Sequence, residues 1–329
     1  ILFLSISAEA EAVFSDTPPT ASYNGALDRL ASLGILSGNE KGEFRPYDIL
    51  TREEFAKIII TAAGLEDTAD TLKGSTIFPD VNPYGWSSGY INAAYYKGYI
   101  AGMPDGRFHP KEGISFAQAC TILVRALGYT DSDVSGQWPK NYIEKAKSIG
   151  LIDGISLNSN EAVSRWVCAV MVDRLLDANV KVAGPTDSSM TFIEAAGYVE
   201  CIILGNHETF EGIGNKQIVT DRGIFHNTSD IELELGGRYY LSLDGEDIIK
   251  VSNKLNSTVE ITVSNAAENS ISYVTENRIK SMILPKGITY YYDAQKLDYS
   301  TLSTLMNKNT SIIFSYNKNK SRYDFAIIF

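Results

Sequence analysis

The sequence predicts an α plus all-β multidomain chain, with a pseudo-threefold domain of helix pairs at the N-terminal end and β-barrel or β-sandwich modules after it. Three observations predict this. Sliding the chain against itself by 64 residues aligns Phe14 with Phe78, Asp16 with Asp80, Gly34 with Gly98, Gly38 with Gly102, Phe44 with Phe108 and Pro46 with Pro110, the mark of a duplicated supersecondary unit. Each copy places a hydroxyl residue at the head of an apolar stripe with helical spacing. Beyond residue 184 the helical period gives way to runs of Val, Ile, Thr and Tyr punctuated by Asn and Gly, which is strand chemistry.

The first residues address compartment. Ile1-Leu2-Phe3-Leu4 followed by Ala8-Glu9-Ala10-Glu11-Ala12 reads as the end of a signal-peptide core with small-x-small cleavage sites. Residues 1–12 are therefore taken as a signal-peptide remnant and the mature protein as beginning near Val13; a short hydrophobic strand is the alternative. No later stretch approaches the roughly 18 consecutive apolar residues that span a bilayer, so no transmembrane helix is expected. With 40 acidic against 29 basic side chains the net charge is −11, which argues against nucleic acid as a partner. Cys120, Cys168 and Cys201 are odd in number and far apart, the wrong arithmetic for a disulfide framework. His109, His207 and His226 have neither i, i+4 pairing nor cysteine neighbours at metal spacing, so neither a metal site nor a cofactor is expected.

The helical copies are assigned to residues 13–66, 77–130 and 133–183. In the first, Ala26, Leu27, Leu30 and Leu33 share a helical face and Gly34 stands at the position of a left-handed cap. Residues 38–46 are turn chemistry throughout. Thr51-Arg52-Glu53-Glu54 then reads as a capping box, and Phe55, Ile58, Ile59 and Ala62 form the buried stripe behind it. The second copy repeats the box as Ser115-Phe116-Ala117-Gln118; the third, Ser164-Arg165-Trp166-Val167, keeps only the hydroxyl and lacks the Gly-x-Phe-x-Pro turn. A single helix pair of this length cannot bury its apolar face alone, so the three copies are expected to pack as one domain.

A linker over 184–190 leads into the β region, read as one module over 191–256 and a second over 257–329. Strands are expected at 198–204, 216–220, 239–243, 247–251, 259–263, 271–274, 288–292, 312–316 and 323–329, with Asp244-Gly245 as a hairpin signal. The run Tyr290-Tyr291-Tyr292 could offer an aromatic platform, but adjacent strand residues point to opposite faces, which favours ordinary sheet packing. Neighbouring carboxylates such as Glu232 and Glu234 carry no catalytic motif, and Gly-x-Ser-x-Gly signatures and phosphate-binding loops are absent.

Taken together, Phe-x-Asp near the start, Trp before the first helix, Asp-Gly-x-Phe-x-Pro in the loop and Thr-Arg-x-Glu-Phe at the second helix resemble the S-layer homology domain, over about residues 14 to 182 as three tandem copies. The resemblance implies non-covalent attachment of a secreted protein to secondary cell-wall polysaccharide, often bearing pyruvate ketals, at the wall or S-layer surface of a bacterium. A ketal carboxylate on a sugar asks for a planar cation beside an aromatic face. By similarity, the polysaccharide-binding candidates are Arg52 and Arg165, Trp86 and Trp138, and Asp16 and Asp80. Each has a purely structural alternative: a solvated helix start for the arginines, a packing anchor for the tryptophans, a cap or turn residue for the aspartates.

Departures from the pattern restrict the expectation to one or two working grooves. The first copy has Ser22 where the others have Trp, the second has Phe116 where the first has Arg52, and the third blurs Phe-x-Asp into Asp131-Ser132-Asp133. A groove shared by neighbouring copies could still combine Arg52 with Trp86. The function expected is non-enzymatic wall anchoring, with the β modules as spacer, lattice or interaction domains that contact further copies or other surface proteins. The alternative is a wall-displayed binding protein whose β region recognises an external glycan or peptide.

Overall fold

The computed structural model describes residues 14–181, 190–229, 231–252, 254–267, 270–275, 278–317 and 322–329. The leader reading of residues 1–12 and most of the linker expected at 184–190 lie outside the described residues. Helices and two β-sheets are both present, and the chain divides after Tyr198 into two compact units.

The first unit carries α1 (Asn24–Ser32), α2 (Arg52–Ala62), α3 (Glu66–Thr71), α4 (Ser88–Tyr96), α5 (Phe116–Ala126), α6 (Lys140–Ser148), α7 (Arg165–Asp177) and α8 (Phe192–Ala195). The first helix of each copy ends at a glycine, Gly34, Gly98 or Gly150, with φ of 72°, 75° and 80°, where a side chain would be strained. Both capping boxes form. The Thr51 hydroxyl accepts from the Glu54 amide at 3.3 Å while the Glu54 carboxylate accepts from the Thr51 amide at 2.8 Å, and Ser115 and Gln118 repeat the exchange at 3.3 and 3.1 Å. Ser164 takes the same extended backbone but makes no side-chain cap. Behind these caps Phe55, Ile59, Cys120, Leu123, Met171 and Leu175 are buried, each large apolar side chain stabilising by about 1.5–3 kcal/mol.

The three copies are hydrogen bonded head to tail. The Leu50 amide donates to the Val163 carbonyl, Val163 to Ile114 and Ile114 to Leu50, at 3.0, 2.9 and 2.9 Å. All three side chains are buried. The same order recurs in the helices, since α2 packs on α4 of the second copy, α5 on α6 of the third, and α7 on α1 of the first. Arg29 of α1 bridges to Asp173 and Asp177 of α7 at 3.3 and 2.6 Å, closing the sequence of contacts.

The second unit begins with β1 (Tyr198–Asn206), β2 (Gln217–Thr220), β3 (Gly223–Asn227), β4 (Arg238–Asp244) and β5 (Asp247–Val251), which close into a barrel in the order β1-β2-β3-β5-β4. A seven-stranded sheet follows from β6 (Ser257–Ala267), β7 (Ser270–Thr275), β8 (Arg278–Ile283), β9 (Thr289–Tyr292), β10 (Gln295–Leu297), β11 (Ser311–Asn317) and β12 (Arg322–Ile328), in the order β10-β9-β12-β11-β6-β7-β8, with α9 (Leu302–Leu305) between β10 and β11. Asp244-Gly245 turns β4 into β5, with Gly245 at φ 61°. The strands missed from sequence are β3, β8 and β10: β8 exposes five of its six residues and β10 is only three residues long, so neither shows the alternation that marks a half-buried strand.

One cluster of the second unit spans both sheets, with Ile202, Leu204 and Val219 packed against Tyr291, Phe325 and Ile327. Arg238 reinforces it. Its guanidinium pairs with Glu200 and, at 2.8 Å, with Asp324, and lies 5.4 Å from the Phe325 ring centroid. Between the two sheets in sequence, the buried Asn256 side chain donates to the Gly236 carbonyl at 2.9 Å and the Ser315 hydroxyl at 2.6 Å. Tyr290 and Tyr291 are buried on opposite faces of β9, so that tyrosine run exposes no ring platform at those two positions.

Candidate functional site

The candidate site lies where the start of one copy's second helix meets the loop of the next copy. Backbone hydrogen bonds set the junction. The Arg52 and Glu53 amides donate to the Glu112 and Pro110 carbonyls at 2.9 and 3.0 Å, and those of Arg165 and Trp166 donate to Asp48 and Pro46 at 2.9 and 3.0 Å. These bonds satisfy first-turn donors that a helix cannot satisfy itself. In consequence the side chain of residue 52 is laid over the second copy and that of residue 165 over the first.

Arg52 is buried, with its Nε donating to the Phe108 carbonyl at 2.7 Å and its guanidinium 4.7 Å from the Phe108 ring centroid. Arg165 repeats the geometry on Phe44, at 2.8 Å and 4.8 Å, and adds an ion pair with Glu54 at 3.7 Å. Both distances lie within cation–π range. Burial lowers the Arg52 guanidinium below its ordinary value against the opposing charges of Glu112 and Asp80, and lowers Arg165 against that of Glu54. Among the described residues neither Nη of Arg52 makes a hydrogen bond. The solvated helix start is thus replaced, for both arginines, by a held and largely desolvated cation.

Asp16 and Asp80 sit beneath these rings. The Asp16 carboxylate accepts from the Phe44 and Arg45 amides, both at 2.7 Å, and Asp80 accepts from Phe108 and His109 at 2.9 and 2.7 Å. Arg45 and His109 have φ of 58° and 57°, a left-handed conformation that costs a residue with a side chain. The carboxylate pins the turn in that shape. Burial by itself raises the Asp80 pKa, but the two amide donors outweigh it and hold the carboxyl below its usual range. Phe14 and Phe78 pack on Phe44 and Phe108 with centroids 5.2 and 5.5 Å apart. At Gly102 a Cβ would stand 2.4 Å from the Phe78 ring, so the loop passes that ring only with glycine there.

The tryptophans separate. Trp86, half exposed, precedes Ser87, whose hydroxyl donates at 2.6 Å to the buried Glu53 carboxylate next to Arg52. Trp86 thus adjoins, along the chain, a hydroxyl bonded to the residue next to Arg52. Trp138 belongs to the third junction, where its indole N–H donates to the Thr121 hydroxyl at 3.1 Å and the buried Phe116 occupies the arginine position. The Phe116 and Ala117 amides still bond the Glu161 and Ser159 carbonyls at 2.8 and 3.0 Å, so this junction is built but carries no cation at that position.

Residues not anticipated from sequence complete both arginine junctions. Beside Arg52, Glu53 is buried and paired with Ser87 and Lys111. Beside Arg165, the equivalent positions are Trp166, Tyr23 and Tyr47, and Tyr23 and Trp166 stack with centroids 5.5 Å apart and planes 28° apart. Burial, and then the neighbouring Tyr47 and Asp16, push the Tyr23 phenol up to about 12; Tyr47 lies near it but outside hydrogen-bonding geometry. The shift of 64 that pairs Ser22 with Trp86 also pairs Tyr23 with Ser87 and Tyr47 with Lys111, a signal available in the sequence. The three cysteines are buried and free, and burial pushes the thiols of Cys120 and Cys201 up to about 12.

Residues 13–56 and 77–120 match the S-layer homology domain, the class of module to which the first two helix-pair copies correspond. Among curated proteins the chain is similar to the middle cell wall protein of Brevibacillus brevis, 33% identical over 173 residues, which are 53% of this chain and 16% of that protein. It is 36% identical to the surface layer protein of Brevibacillus choshinensis over 136 residues, 41% of this chain and 12% of the relative. It is 25% identical to the cellulosome-anchoring protein of Acetivibrio thermocellus over 158 residues, 44% of this chain and 35% of the relative. The chain thus spans a small part of the length of each. The matched domain and these wall and surface-layer proteins indicate a secreted protein of the bacterial cell wall or S-layer surface.

Proposed function

We propose that the helical unit is a non-covalent anchor, built from three S-layer homology copies, that holds a surface or S-layer protein to secondary cell-wall polysaccharide. The observation that carries this reading is the pair of arginines, each supplied by one copy and laid over a phenylalanine of the next. A cation held flat beside apolar surface suits an anionic group on a sugar, and a pyruvate ketal has that composition. Arg52 and Arg165 are the binding cations, and Trp86 flanks the first. Asp16 and Asp80 act as positioning residues, because their carboxylates are engaged by backbone amides. Trp138 serves as a packing anchor at the third junction.

In this reading the chain is not an enzyme, and the β unit serves as spacer, lattice or interaction domain. Co-sedimentation of the full chain with wall sacculi tests the anchor. Sacculi carrying their polysaccharide should pellet the protein, sacculi stripped of it should not, and removal of pyruvyl groups alone should abolish most of the binding. Equal pelleting with stripped sacculi would exclude the polysaccharide as the ligand.

A further inference from the structure

The two arginine junctions share their cation, phenylalanine and pinned turn, yet differ at three further positions that change as a set. Beside Arg52 these are Glu53, Ser87 and Lys111. The buried Glu53 carboxylate accepts from Ser87 at 2.6 Å and pairs with Lys111, whose side chain is 77% exposed. Beside Arg165 they are Trp166, Tyr23 and Tyr47. Trp166 is half-buried against the buried Tyr23 ring, while Tyr47 is 71% exposed. The Tyr23 hydroxyl is buried with no hydrogen-bond partner among the described residues. At the third junction the corresponding residues are Ala117, Pro139 and Asn160, neither an ion cluster nor a ring cluster.

Taking the wall-anchor reading as its basis, we propose that the junctions are two non-equivalent sites for one acidic polysaccharide. The Arg165 junction is the ring-stacking site, where Tyr47 and Trp166 present aromatic faces to a sugar ring beside the anionic group that Arg165 receives. The Arg52 junction is the ionic site. There Ser87 and Lys111 satisfy the buried Glu53 carboxylate, and Lys111, most of whose side chain is exposed, is the cation that an anionic group of the ligand would share with Glu53. Stacking of a sugar on an aromatic face depends little on ionic strength, whereas an exposed ammonium is screened within about 10 Å at 0.1 M salt. Tyr47 and Lys111 are thus specificity-determining residues at equivalent positions, one for the shape of the sugar face and one for charge.

Tyr47 is exposed, and Lys111→Gln keeps a donor for the buried Glu53 carboxylate; tryptophan emission establishes that each variant is folded before it is titrated. Full-length wild type, Tyr47→Ala and Lys111→Gln would be titrated with purified wall polysaccharide by calorimetry at about 50 mM and about 500 mM salt. Tyr47→Ala should lose about tenfold in affinity at both concentrations. Lys111→Gln should lose a few-fold at low salt and match wild type at high salt. Trp166→Phe, which keeps a ring, should retain more affinity than Tyr47→Ala. Identical salt profiles for the first two variants, or wild-type affinity in Tyr47→Ala while wild type binds, would overturn the assignment and leave the anchor reading intact. Failure of wild type itself to bind would overturn both.

Discussion

Arg52 of the first helical copy donates through Nε to the carbonyl of Phe108 in the second, at 2.7 Å, and lies over that same residue's ring at 4.7 Å. One side chain therefore recognises both the backbone and the ring of a neighbouring copy. The relationship recurs between Arg165 and Phe44. It ties the cation to the packing of copies, so that this arrangement of charge and ring forms only where two copies meet.

The planar fork of arginine makes this double contact, and lysine cannot reproduce it. Arg52→Lys should keep the charge yet lower affinity for wall polysaccharide about tenfold, because the cation is no longer held flat beside Phe108. Calorimetric titration of the variant measures this; unchanged affinity would mean that charge alone matters there.

Asp80 carries a pH dependence whose sign is set by its amide donors. Its pKa is depressed in the folded protein, so its contribution to stability is full above the unfolded value near 3.9 and is lost as pH falls through the folded value. Asp80→Asn, which retains one acceptor for two amides, should be about 1–2 kcal/mol less stable at pH 6. Denaturant melts followed by tryptophan emission should show that gap closing toward about pH 2. A gap that is constant with pH would remove the amide cradle as its cause.

Ionic strength tests how the partner is attracted. With a net charge of −11 the chain would repel an acidic polymer at long range, and in the proposed anchoring the attraction comes from the two junctions alone. Raising salt from about 50 to 300 mM should speed association and change equilibrium affinity less than about threefold. A steep fall in affinity with salt, of the kind seen when many charges are neutralised, would place the contact on an extended basic surface instead.

Much of the helical unit is legible in sequence because each motif is local. Thr51 with Glu54, Ser115 with Gln118, and the glycines at 34, 98 and 150 act within a few residues of themselves. The contacts between copies are not local. Nothing within Thr-Arg-x-Glu says that Arg52 will rest on Phe108, and Phe-x-Asp does not disclose that Asp16 serves amides 28 and 29 residues away. The triple change of Glu53, Ser87 and Lys111 into Trp166, Tyr23 and Tyr47 is visible only when the copies are aligned in a ring and not each within itself. In the β unit, β8 escaped notice because both its faces are largely exposed.

Arg238 is expected to secure the β unit. It joins β4 to Glu200 of β1 and Asp324 of β12 over the Phe325 ring. Arg238→Met keeps the stem packing but removes the cation from two carboxylates, of which Glu200 is partly exposed, and should cost about 1–2 kcal/mol. Because Trp86, Trp138 and Trp166 all lie in the helical unit, tryptophan emission reports that unit and the far-ultraviolet β signal reports the other. The loss should appear in the second. A variant melting like wild type by both probes would show that the ion pairs contribute nothing net.

In the proposed anchor the paired arginines grip wall polysaccharide. The most direct test is co-sedimentation of the double variant Arg52→Gln/Arg165→Gln with polysaccharide-bearing sacculi, with tryptophan emission used to establish that the helical unit remains folded. Glutamine keeps a donor for the Phe108 and Phe44 carbonyls while removing the charge. Wild type should pellet and the folded double variant should stay in the supernatant, as wild type should with stripped sacculi. A folded double variant that pellets as fully as wild type would contradict the proposed grip.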